Sequence, residues 1–247
     1  LGALYKLSPT WQMTGNLAYT ERAPKDYELF ANGPHMATVA WETGDSSLGK
    51  ERSTSAELGL QWKQGAHQAS VNAYQTRFRN YIGLLATGDQ LTADGQRNPA
   101  DSSLTTYPEY RYSGIRARFT GLEGNATVRL MGPGGLQPGG SAGALDLLLR
   151  GDLVRAINAD TLDPLPRIAP ARLGASLAWT RGPWSVRGGF DHSAAQSRVP
   201  SDSRATSAYT LWNAMGSYKT TARVGGQTTQ MLWYARLDNL TNQLAYS

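Results

Sequence analysis

Only three of the 247 residues are histidine and none is cysteine, so metal or acid–base chemistry in this chain must be assembled from few parts. Imidazole and carboxylates come together in one polar stretch, Glu21 to Arg52, which carries His35 with Glu28, Glu42 and Asp45. Imidazole nitrogen and carboxylate oxygen are donors that zinc accepts in a four-coordinate site, which makes His35, Glu42 and Asp45 the candidate metal ligands. The competing reading is an ordinary exposed loop histidine, because no HxxxH pair or histidine cluster accompanies it. Met36 adjoins His35, but selection of copper needs further soft donors and none cluster there. His67 falls at a short turn, where a solvated residue is expected. His192 adjoins Asp191 on an alternating segment, where neighbours point to opposite faces and cannot form a dyad. Serine, histidine and carboxylate converge in no catalytic pattern, so neither catalytic nor cofactor-binding residues are assigned and no enzyme is expected.

The elements that hold this stretch are strands. Before it, Trp11, Met13, Gly15, Leu17 and Tyr19 share one face; after it, Ala56, Leu58, Leu60 and Trp62 do. Alternation with period two gives a strand one apolar and one polar face. The same pattern recurs in about ten segments along the chain. Between them, long polar connections (Glu21–Arg52, Gly83–Glu109, Asn158–Pro170 and Ser197–Ser207) alternate with tight turns such as Ser8-Pro9-Thr10, Gln64-Gly65-Ala66 and Gly182-Pro183. The Gly-rich segment Gly132–Gly143 reads as a flexible turn, since no helix follows that would make it a phosphate cradle. The fourth strand loses its phase from Tyr74 to Tyr81, where Arg77 and Arg79 rise beyond any apolar zone. In the fifth strand, about Tyr110 to Leu130, Ile115, Ala117 and Phe119 share one phase and Leu122, Ala126, Val128 and Leu130 the other, which places a bulge near Gly121.

No apolar run approaches the ~18 residues of a spanning helix, which excludes a helical membrane protein. The net charge of +5 is dispersed, without the Lys/Arg run of a nucleic-acid binder, and no nucleic-acid partner is expected. Mid-strand polar faces carry Glu57, Lys63, Glu123, Arg129, Asp146, Arg150, Asp152, Arg187 and Arg236, mixed in sign, while apolar faces end in Trp11, Tyr19, Trp62, Trp179, Trp184 and Trp233. A charged inner face, aromatic girdles and connections long on one side and short on the other are the pattern of an outer-membrane β-barrel. A soluble β-sandwich with one solvated face would also alternate, but it accounts for neither the girdles nor the loop asymmetry. The fold expected is all-β, a transmembrane antiparallel β-barrel.

Several motifs sharpen this. Arg22-Ala23-Pro24, Glu28-Leu29, Leu48, Lys50-Glu51 and Glu57 are followed by Phe78–Ile82, Gly121-Leu122-Glu123, Leu237–Asn242 and Tyr246. In this order they resemble the second half of the barrel of TonB-dependent outer-membrane receptors, over essentially the whole chain. The resemblance implies about ten late strands of a 22-stranded, plugged barrel, with residues 1–247 lacking the plug, the TonB box, the first barrel half and the closing strand. It further implies a Gram-negative outer-membrane location and active transport of a scarce metal ion or metal chelate. The implied partners are TonB, reached through an N-terminal region not in this chain, and outer-membrane lipid and lipopolysaccharide. The segment ELFANGPHMATVAWETGD is most similar to the zinc-uptake, ZnuD-like branch, whose members carry a histidine in the equivalent loop, so zinc is implied as transported ligand and not as cofactor. The alternative is a small outer-membrane barrel acting as adhesin or surface hydrolase.

Overall fold

The structure, a computed structural model, describes residues 1–245; the landmark Tyr246 lies outside the described residues. One sheet dominates, in the order β1 (Gly2–Lys6), β2 (Trp11–Arg22), β5 (Glu51–Gln64), β6 (His67–Thr92), β7 (Thr106–Met131), β8 (Ala144–Asn158), β9 (Arg172–Arg181), β10 (Trp184–Ser193), β11 (Tyr209–Val224) and β12 (Gln227–Leu237). Every neighbouring pair along this order is antiparallel. These are the ten alternating segments of the sequence. Between β2 and β5 lie the short helix α1 (Asp26–Phe30) and the strands β3 (Asn32–His35) and β4 (Ala40–Thr43).

Residues paired across antiparallel strands share a face, so the register carries each face from strand to strand. The row Gly15, Leu58, Ala73, Leu122, Leu153 lies on the apolar face, and the row Asn16, Glu57, Tyr74, Gly121, Val154 on the other. Leu17, Leu58, Leu173 and Trp233 on the apolar face are 55%, 56%, 55% and 62% exposed, and no second sheet covers them. A contiguous apolar face of this extent marks a partner surface. The sandwich alternative, which needs that face dry between two sheets, is overturned.

The polar face is knitted by charge. Arg129 pairs with Asp146, Arg172 with Asp152 at 2.9 Å, Arg150 with Asp191 at 2.5 Å and Arg236 with Asp238 at 2.9 Å. His192 points away from Asp191 and meets Thr210 at 2.9 Å, so the two form no dyad. His67 stacks on Trp62, ring centroids 6.3 Å apart.

Two expectations need correction. The stretch Gly83–Glu109 is mostly strand: β6 continues to Thr92 and β7 starts at Thr106, leaving only 93–105 as connection. Its Gly, Asp, Asn and Pro lower strand propensity, but each strand of the hairpin supplies the ladder for the other from Tyr81↔Ile115 to Thr92↔Thr106. The bulge falls elsewhere as well. Register shifts occur between Phe78 and Tyr81 and between Ala86 and Gln90, and none at Gly121, which pairs with Tyr74. A Cβ on Gly121 would lie 2.3 Å from Tyr74 Cζ, so glycine is there to seat the ring. The change of phase in β7 is a change in what the polar face carries. Toward the long-connection end that face turns apolar, where Phe78, Tyr81, Ile115 and Phe119 pack round Ala117, Ala156 and Leu165. Leu165 and Ile168 come from the 159–171 connection, which therefore folds inward over this cluster.

Candidate functional site

Four connections (23–50, 93–105, 159–171 and 194–208) lie at one end of the sheet, where the chain builds a polar cap, while the opposite end carries short turns and the single longer stretch 132–143. It is anchored where the family-like motif residues meet. Arg22 ends β2 and Glu51 begins β5, directly paired across the sheet, and the guanidinium bonds Glu51 through Nε at 3.2 Å and Nη2 at 3.3 Å. Arg22 Nη1 also reaches Glu28 of α1 at 2.8 Å, and Glu51 accepts the Ile82 N–H at 3.0 Å. Burial pushes the Glu28 carboxyl up, but the Arg22 guanidinium and the Lys25 N–H at 2.7 Å outweigh it and hold it below the usual range. Arg22 thus holds Glu28 and Glu51 together in one hydrogen-bonded cluster at the barrel rim.

From α1 the chain runs through the β3–β4 hairpin, and β4 adds in parallel to β7, Trp41 opposite Glu109 and Thr43 opposite Arg111. Glu109 is the second anchor. Its side chain is 0% exposed and accepts Arg97 at 2.5 and 2.9 Å, Thr43 Oγ1 at 2.8 Å and Thr87 Oγ1 at 2.8 Å. Arg97 also bonds Asp89, which accepts Asn98 Nδ2 at 2.8 Å. The Arg97 bonds, reinforced by the two threonines, hold the Glu109 carboxyl down to about 2 against the opposing effect of burial. Nothing in the sequence marks Glu109, Arg97 or Trp41, because all three sit in stretches that read as polar connections.

Of the predicted ligands, the structure brings two together. His35 Nδ1 lies 3.5 Å from Glu42 Oε1 and 2.9 Å from Thr38 Oγ1, and His35 is half exposed. Glu42 also accepts the Tyr112 hydroxyl at 3.2 Å, and burial together with that carboxylate pushes Tyr112 up to about 12. Asp45 turns to Ser47, accepting its N–H at 2.8 Å and its hydroxyl at 2.6 Å, while the Asp45 N–H bonds the Glu28 carbonyl at 3.0 Å. Among the described residues no group of three or more His, Asp or Glu side chains is placed to hold a metal ion. His35 and Glu42 offer two donors, and a cargo would have to supply or recruit the rest.

A single antiparallel sheet, one face apolar and exposed, the other charged and capped by loops at one end, is part of an outer-membrane β-barrel wall. Residues 1–240 match the family described as TonB dependent receptor-like, beta-barrel, and the chain belongs to it. Its members are transport receptors of the Gram-negative outer membrane, not enzymes. Solved structures with the same fold include the copper transporter OprC, 19% identical with a TM-score of 0.72, where the match covers 97% of this chain and 34% of that one. The ferric enterobactin receptor PfeA of Pseudomonas aeruginosa is 17% identical with a TM-score of 0.65, at 97% and 34% coverage. The siderophore receptor PirA of Acinetobacter baumannii is 15% identical with a TM-score of 0.59, at 97% and 36%. The chain spans about a third of the length of these structures.

Proposed function

We propose that this chain is the cargo-facing wall of a receptor that captures a scarce metal ion or metal chelate at the cell surface and passes it inward at the expense of energy relayed through TonB. The observation that carries the reading is the cap. Four connections, 23–50, 93–105, 159–171 and 194–208, gather at one end, and two buried carboxylates, Glu28 and Glu109, hold the first two in place instead of leaving them as free loops. The named cargoes of three relatives, copper and iron siderophores, support a metal or its chelate as the class.

Within that class the cargo is zinc, first met by His35 and Glu42, with Asp45 on the same loop as a further carboxylate. The imidazole Nδ1 and a Glu42 oxygen already lie 3.5 Å apart, and both are zinc donors. The test is zinc-limited uptake by cells expressing the full-length protein. His35→Ala is expected to lower apparent zinc affinity about tenfold or more, with iron-siderophore uptake unaffected. Unchanged zinc uptake in His35→Ala and Glu42→Gln would sink the zinc assignment and leave a chelate.

A further inference from the structure

Most glutamates of the cap already face a fixed cation. Glu28 and Glu51 meet Arg22, Glu109 meets Arg97, and Glu21 meets Lys50 and Arg52. Glu42 is different. Its side chain is only 17% exposed, and among the described residues no Lys or Arg nitrogen lies within 4.0 Å of it; what it faces is the His35 imidazole at 3.5 Å. A carboxylate withdrawn this far from water calls for a cation, and Glu42 has no permanent one.

The two Glu42 oxygens are not equivalent. Oε1 faces His35, while Oε2 accepts the Tyr112 hydroxyl at 3.2 Å. Tyr112 is itself held in place: it sits on β7 opposite Leu84, and its ring lies against Tyr27 of α1, centroids 5.7 Å apart. Arg22 fixes α1 in turn through Glu28. The phenol thus engages one carboxylate oxygen and leaves the other to the imidazole side.

We propose that Tyr112 is a positioning residue for the cargo: by engaging Oε2 it limits Glu42 to coordination through Oε1, and so selects a small four-coordinate cation over calcium. Zinc takes one donor atom from each ligand, whereas calcium collects about six to eight oxygens and readily uses both oxygens of one carboxylate. A hydroxyl on Oε2 suits the first and obstructs the second. The inference rests on the reading of His35 and Glu42 as the zinc contact and adds the group that sets its selectivity.

Zinc and calcium titrated calorimetrically into the full-length protein in detergent provide the test. The unmodified protein is expected to keep its zinc in millimolar calcium; displacement by calcium would overturn the inference without any variant having to fold. Tyr112→Phe should lower zinc affinity about tenfold while calcium affinity holds or rises. A purely structural role would weaken both together, and equal losses would overturn the inference. Added to Glu42→Ala, Tyr112→Phe should have no further effect, because the phenol acts through that carboxylate; an additive loss would count against it in the same way. Zinc binding unchanged in His35→Ala and Glu42→Ala would remove the zinc contact and this inference with it. Zinc binding lost in those two variants but unchanged in Tyr112→Phe would remove the role of Tyr112 alone.

Discussion

Glu109 shows what a single side chain does for the cap. Its carboxyl is sealed from solvent yet ionised, because Arg97, Thr43 and Thr87 donate to it from three separate segments of chain. Its value of about 2 lies below the ordinary 4.5, so the folded cap binds this proton less well than the unfolded chain does. The resulting stabilisation, roughly 3 kcal/mol, is complete above pH ~4.5 and drains away as pH falls toward 2. The protection factors of the Thr43 and Thr87 amides, taken relative to intrinsic exchange at each pH, should fall from pH 6 to pH 2.5 in the native protein and lose that fall in Glu109→Gln. That substitution leaves Arg97 without its buried partner and should cost the cap ~3 kcal/mol. Little of this was legible beforehand. An acid after a proline and an arginine in a Gly- and Asp-rich run carry no periodicity, and only the β6–β7 pairing brings them together. Arg22, Glu28 and Glu51 did stand out, because their spacing recurs in a family pattern, although nothing in the spacing alone shows that one guanidinium holds both carboxylates.

At the scale of elements, the wall strands could be read because each presents one face to apolar surroundings, and the alternation records it residue by residue. The hairpin of β3 and β4 could not. Asn32-Gly33-Pro34-His35 is poor strand sequence, and it is strand because β4 docks on β7 and offers β3 an edge. Gly44 is the hinge of that arrangement. A Cβ there would stand 2.6 Å from the Leu29 carbonyl carbon, a backbone atom, and the Gly44 N–H bonds the Ala31 carbonyl at 2.6 Å. Gly44→Ala should therefore push α1 off β4, at a cost of about 1–3 kcal/mol, and make the 23–50 connection the first site cut by protease while the wall stays folded. An unchanged cleavage pattern would mean that the connection is not packed as described. Gly121 tests the wall in the same way. Gly121→Val must displace the Tyr74 ring and should slow barrel folding, whereas the same change at Gly15, where a Cβ meets nothing within 4 Å, should not.

Considered whole, the molecule is a sheet with two solvents. Six of the seven tryptophans, Trp11, Trp62, Trp179, Trp184, Trp212 and Trp233, sit on the apolar face by register, while aspartate-paired arginines line the other. Arginine on the lipid side costs roughly 2–4 kcal/mol at mid-membrane and ~0–1 near its edges. Leu122→Arg should therefore impair folding into bilayers far more than Asn125→Arg on the inner face. The two-faced account is tested most directly by nitroxide labels on β7. The chain has no native cysteine to interfere, so single cysteines at positions 119 to 128 can be read one by one in bilayers against oxygen, which partitions into lipid, and a water-soluble nickel chelate. The account predicts that Leu122, Ala126 and Val128 are reached by oxygen and Glu123, Asn125 and Thr127 by the chelate, with period two. Even-numbered positions shielded from both reagents would mean a dry protein layer against the apolar face, and would contradict the membrane wall on which the transport reading stands.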